Sequence, residues 1–88
     1  IEEIKLLIQE FRDEEKIADD ETSRVLQTHL TAVEQYEENA EWDKAVRHMN
    51  SFKDELLAHY TENELISEEA AAVLVSHAES LIAYWEKQ

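Results

Sequence analysis

Glycine, proline and cysteine are all absent from these 88 residues. Without glycine and proline the chain lacks the residues that punctuate strands, tight turns and bent backbones, so helix is the default reading almost throughout. Without cysteine there is no thiol chemistry and no thiolate metal site. That fits a secreted protein from an organism that avoids disulfides and fits a cytosolic one equally. Long hydrophobic runs are missing too, and none approaches the ~20 residues that a membrane-spanning helix needs. No basic stretch precedes an apolar one near the start, as it would in a signal peptide. The chain begins at Ile1 rather than Met, as expected of a mature fragment or an excised module of something larger.

Positive charge is the remaining scarcity. Eight Lys and Arg face 22 Asp and Glu, for a net charge of −14. Such a surface repels phosphate backbones and anionic headgroups, so nucleic acid and membrane surfaces are not expected partners. A hydrophobic fraction of 43% nevertheless argues for a folded chain rather than a disordered one. The length fits one domain, residues 1–88, able to build a single core without metal or disulfide.

Four amphipathic segments are present. Ile1, Ile4, Leu7, Ile8 and Phe11 repeat at three and four, which predicts a first helix over about Ile1 to Lys16. Asp19, Asp20, Glu21, Thr22 and Ser23 then supply the acids and hydroxyls of an N-terminal cap. The second helix is expected to turn Val25, Leu26, His29, Val33 and Tyr36 to one face. Its end is expected near Asn39, a residue that tolerates left-handed backbone. A third helix carries Trp42, Ala45, Val46, Met49, Phe52, Leu56 and Tyr60, and Thr61 to Ile66 reads as the longest loop. Ser67 is the expected cap of a fourth helix with Ala70, Ala71, Leu74, Ala78, Leu81, Ile82 and Trp85 inward and Lys87 closing its end. Short connections make sequential helices antiparallel neighbours, which gives an all-α, up-down four-helix bundle. No internal repeat at a fixed period stands out.

The order of these residues is similar to a known family. Ile66 to Leu74 with Ala78, Leu81 and Ile82 resembles the last helix of the FIMAH domain. The stretch from Lys44-Ala45 through His48-Met49 to Phe52 and Leu56 resembles its middle. Ile4, Leu7, Phe11 and Ile17, then Val25, Leu26, Leu30 and Val33, fit its beginning. The resemblance implies a small helical module appended to secreted, multidomain bacterial enzymes such as hydrolases. The expected setting is therefore extracellular, in a Gram-positive bacterium, with no catalytic residue to carry over. The family usually has glycine near the positions of Glu15 and Asn39, and this chain has none.

Four histidines among many carboxylates invite a metal reading. A di-iron bundle needs inward Glu-x-x-His pairs, and that spacing does not occur. Glu55 and His59 lie one turn apart but towards a flank, while His48 and His59 are too far apart to share an ion. Asp19, Asp20 and Glu21 form the densest oxygen cluster, readable as a helix cap or as a weak calcium site lacking the EF-hand alternation. His29 reads as a neutral imidazole in the core with a hydrogen-bond partner, or as a pH-sensitive group. No cofactor and no metal site is expected, nor is hydrolysis by this chain alone.

The aromatics are more suggestive of contact. Antiparallel order should bring Tyr36, Trp42, Tyr84 and Trp85 to one pole, as a hydrophobic plug or as a platform for a sugar ring or a neighbouring domain. Val73, His77 and Tyr84 make a stripe on the flank of the fourth helix, either widening contact with another helix or forming a protein-binding strip. The expected function is a non-catalytic accessory module that contacts a companion domain, the cell wall or a polymeric substrate. The alternative is a free-standing acidic protein-interaction bundle acting as an adaptor.

Overall fold

The computed structural model describes residues 1–88, the side chain of Leu57 excepted. Its helices are α1 (Glu2–Asp13), α2 (Asp20–Glu38), α3 (Trp42–Glu55) and α4 (Glu68–Trp85), and a π turn (Leu56–Tyr60) continues α3. Each helix packs on its neighbours in sequence and α1 closes the ring on α4, the arrangement of an antiparallel four-helix bundle. Ile4, Ile8, Phe11, Leu26, Leu30, Val33, Met49, Phe52, Leu74 and Trp85 share one core with Ala45, Ala70, Ala71 and Ala78. Full burial of a Leu, Ile or Val contributes about 1.5–3 kcal/mol, so this core is the principal source of stability.

The caps follow their chemistry. The Asp19 carboxylate accepts the Thr22 backbone N–H at 2.7 Å, and the Ser67 hydroxyl oxygen accepts that of Ala70 at 3.1 Å. Both start a helix by satisfying an otherwise orphaned donor. The Thr22 backbone bond is the chief reason why the Asp19 carboxyl lies below its ordinary value, and the Thr22 hydroxyl adds to it.

The helix ends correct the sequence reading. Helix α1 stops at Asp13 rather than Lys16, and Asn39 has an ordinary φ of −90°. The left-handed residues are Glu15, Ala40 and Glu64, with φ of 62°, 55° and 58°. Each follows a helix whose last carbonyls are closed in the same way. The N–H of Glu15 donates to Arg12 and that of Lys16 to Phe11, Ala40 donates to Glu37 and Glu41 to Tyr36, and Glu64 donates to Thr61 and Leu65 to Tyr60. This is the paired bonding of the Schellman motif, built three times without glycine. An aromatic residue opens each motif and an apolar one follows six positions on: Phe11 and Ile17, Tyr36 and Trp42, Tyr60 and Ile66.

Three further differences have local causes. Thr61 and Glu62 are helical rather than part of a loop, because the π turn carries α3 onward. A spacing of four from Phe52 to Leu56 to Tyr60 drifts off an α-helical face by roughly 40° at each step. The i→i+5 turn compensates, and both Leu56 and Tyr60 are buried. Val25 is exposed, since the inward face of α2 is Thr22, Leu26, Leu30 and Val33 and Val25 lies one residue off it. Lys87 falls beyond the last turn of α4, which has no basic residue.

The turn after α1 and the turn before α4 meet at one pole. Ile17 and Ile66 form an isolated antiparallel β-bridge there, with Ala18 N–H on the Leu65 carbonyl at 2.9 Å and Ser67 N–H on that of Lys16 at 2.8 Å. The α2–α3 connection and the end of α4 therefore meet at the opposite pole.

Candidate interaction surface

Two of the four polar aromatics meet as the antiparallel order requires. Trp85 is buried at 1% exposure, and its indole N–H donates to a Glu37 carboxylate oxygen at 2.8 Å. That bond ties the end of α4 to the end of α2. Trp42, half-buried at the start of α3, faces the same corner across an open hollow of about 460 Å³ that Asp43, Val46 and Glu86 complete. A buried tryptophan needs a partner for its N–H, and Glu37 supplies it.

Tyr36 belongs to a different side. Its ring centroid is 4.9 Å from that of His48, and the Lys44 ammonium lies 5.9 Å from it. A seam of rings continues between α2 and α3, with His29 6.1 Å from His48 and 5.5 Å from Phe52. His29 Nε2 lies 3.1 Å from the His48 carbonyl oxygen. A carbonyl only accepts, so Nε2 carries the hydrogen and the tautomer is set. His29 is half-buried rather than fully in the core, and the His48 carbonyl gives it a hydrogen-bond partner, which the sequence expected without naming one.

The stripe on α4 divides. Glu79 reaches Lys53 of α3 at 3.9 Å, which fixes the side of α4 that meets α3. Val73, His77 and Tyr84 lie roughly 120–160° around the helix from Glu79, on the flank towards α1. Val73 and His77 are half-buried there and widen the packing, whereas Tyr84 is 58% exposed. Of the six residues Tyr36, Trp42, Val73, His77, Tyr84 and Trp85, only Tyr84 presents a large free ring. Trp42 is half-buried, and Trp85 is core rather than surface.

The acids at the start of α2 have partners of their own kind. Asp19 caps the helix and Asp20 accepts from Arg12 Nε at 2.7 Å. Among the described residues no group of three or more His, Cys, Asp or Glu gathers as metal ligands do. No helix is long and apolar enough to cross a membrane. Burial raises the Tyr60 phenol above its ordinary value, and the nearby Glu55 adds to the effect. Sequence reasoning missed Glu37, because a carboxylate near a helix end reads as solvated until the indole it meets is placed.

The fold is that of a small all-α domain with one large ring, Tyr84, exposed near the end of α4. The chain belongs to the FIMAH family, whose domain profile matches residues 1–83. No curated protein and no solved structure matches it.

Proposed function

We propose that this domain is a non-catalytic accessory module of a secreted bacterial enzyme, acting by contact with a companion domain, the cell wall or a polymeric substrate. The observation that carries this reading is Tyr84, a large ring 58% exposed on a rigid helix and one residue from the buried, hydrogen-bonded Trp85. A flat ring held by a rigid backbone binds with little loss of conformational freedom, which is why Tyr and Trp recur at contact hot spots. Membership of the FIMAH family supports the reading, since modules resembling it are appended to secreted enzymes.

The test is binding by two neighbouring variants, each accompanied by a melt. Tyr84→Ala should stay folded and lose affinity for the remaining domains of its parent enzyme or for purified cell-wall glycan. Trp85→Ala should lose stability by about 3–5 kcal/mol, the usual cost of truncating a buried Trp. Unchanged binding by folded Tyr84→Ala would remove this surface as the contact.

A further inference from the structure

The outer seam between α1 and α2 forms a groove of about 550 Å³ whose lining carries no aliphatic or aromatic residue. Arg12, Ser23, Arg24, Gln27 and Thr28 lie along it, with Asp20 at one end. From Asp20 to Thr31 the lining follows α2 for about 16 Å at 1.5 Å per residue. On a chain of net charge −14 this groove holds two guanidinium groups against one carboxylate. That carboxylate, Asp20, is already paired with Arg12.

The hydrogen bonds show which groups are free. Gln9 donates to Asp13 and the Thr31 hydroxyl to the Gln27 carbonyl, so both are engaged. Among the described residues the side chains of Ser23, Arg24, Gln27 and Thr28 make no intramolecular hydrogen bond or ion pair. A guanidinium, an amide and two hydroxyls thus stand together in one concavity, on successive turns of a rigid helix. Neutral donors and acceptors, with only the methylenes and methyls of polar side chains between them, suit a ligand rich in hydroxyl groups and poor in exposed hydrocarbon. Arginine adds a planar donor fork matched to a carboxylate.

We infer that this groove is a binding site for a polyhydroxylated chain bearing isolated carboxylates, an acidic oligosaccharide, with Arg24 on the carboxylate. Sparse charge is part of the inference. A densely charged polyanion would meet the whole acidic surface, whereas a single carboxylate at Arg24 is screened from acids beyond about 8 Å at physiological salt. Of the near ones Asp20 is paired with Arg12, and Glu21, one turn back, remains as a repulsion. The site is independent of Tyr84, so either surface can fail its test without the other.

The experiment is a two-dimensional amide NMR titration of the chain with a xylo-oligosaccharide carrying one glucuronate, and with the same oligosaccharide lacking it. The charged ligand should shift the amides of residues 20–31, and the neutral one should bind about tenfold or more weakly, the usual effect of losing a charge-assisted hydrogen bond. Arg24→Ala, an exposed position, should weaken the charged ligand by a similar factor. Arg47→Ala, an exposed arginine of α3 outside the groove, should leave it unchanged. Equal affinity for the two ligands, shifts centred elsewhere, or no shifts at millimolar ligand would each overturn the assignment.

Discussion

The three left-handed residues give the sharpest quantitative expectation. Ala40 ends α2 at φ 55° without the freedom of glycine. A side chain in that region costs about 1–2 kcal/mol, because Cβ crowds the following carbonyl. Replacing it with glycine removes that cost but adds roughly 0.5–1 kcal/mol of unfolded-chain entropy to be lost on folding. The net gain for Ala40→Gly is therefore centred on about 0.5–1 kcal/mol, between extremes of roughly 0 and 1.5. In a domain of this size each kcal/mol moves Tm by about 4–8 °C, so the variant should melt roughly 2–8 °C higher. Glu15→Gly and Glu64→Gly should gain similarly, and Glu15→Gln separates the backbone effect from loss of a charge. Asn39→Gly is the control, one residue away with φ at −90°, and it should gain nothing. Thermal and urea melts of the set decide the matter. Destabilisation by Ala40→Gly, or equal effects of Ala40→Gly and Asn39→Gly, would refute the left-handed assignment at this turn.

Other expectations follow from the core, the charge and the caps. Leu74→Ala should cost about 2–5 kcal/mol because the side chain is fully buried. Val73→Ala, half-buried on the flank of α4, should cost much less in the same urea titration, and equal losses would refute the helical phase. Tm should rise with sodium chloride as repulsion among 22 acids is screened over about 10 Å at 0.1 M, and a flat or falling Tm would contradict that account. Asp19 has a folded-state pKa below its unfolded one, so its stabilising contribution is present above the unfolded value and fades as pH falls through the folded one. Asp19→Asn keeps a capping oxygen and should flatten that acid-side loss, measured as Tm against pH; an unchanged slope would count against Asp19 as its source.

Much of this architecture was legible because it rests on period and composition. The stripes of α1, α3 and α4 and the caps at Asp19 and Ser67 lie where spacing and side-chain chemistry put them. The expected stripe of α2 holds at Leu26 and Val33, is half-buried at His29 and Tyr36 and fails at Val25, although all five recur at helical spacing. The true inward set runs through Thr22, a polar residue that hydrophobicity patterns pass over. The helix ends were less legible because left-handed backbone is usually marked by glycine, and Glu15, Ala40 and Glu64 carry no such mark. The aromatic residue opening each end and the apolar one six positions later were the available signal. The candidate surface was only partly visible. Phase places Tyr84 outward, but whether Tyr36 joins Trp42 depends on the packing of α2 on α3. The α1–α2 groove has no periodic signature, because its side chains are ordinary surface polar residues brought together by helix pairing.

The β-bridge between Ile17 and Ile66 has a consequence for how the domain opens. Its two amides, Ala18 and Ser67, lie in turns, where backbone hydrogens ordinarily trade with solvent through small local fluctuations. Here each amide is bonded to the opposite helical hairpin, across a large separation in sequence. Each turn is also anchored by a core side chain, Ile17 at 0% and Ile66 at 3% exposure, so freeing either amide means drawing an isoleucine out of the core. In deuterium exchange these two turn amides should therefore behave as core amides, exchanging at rates that track denaturant like those of Leu30 or Leu74. Such protection would mark the two hairpins as a single cooperative unit, latched at the end where an ordinary bundle would fray first.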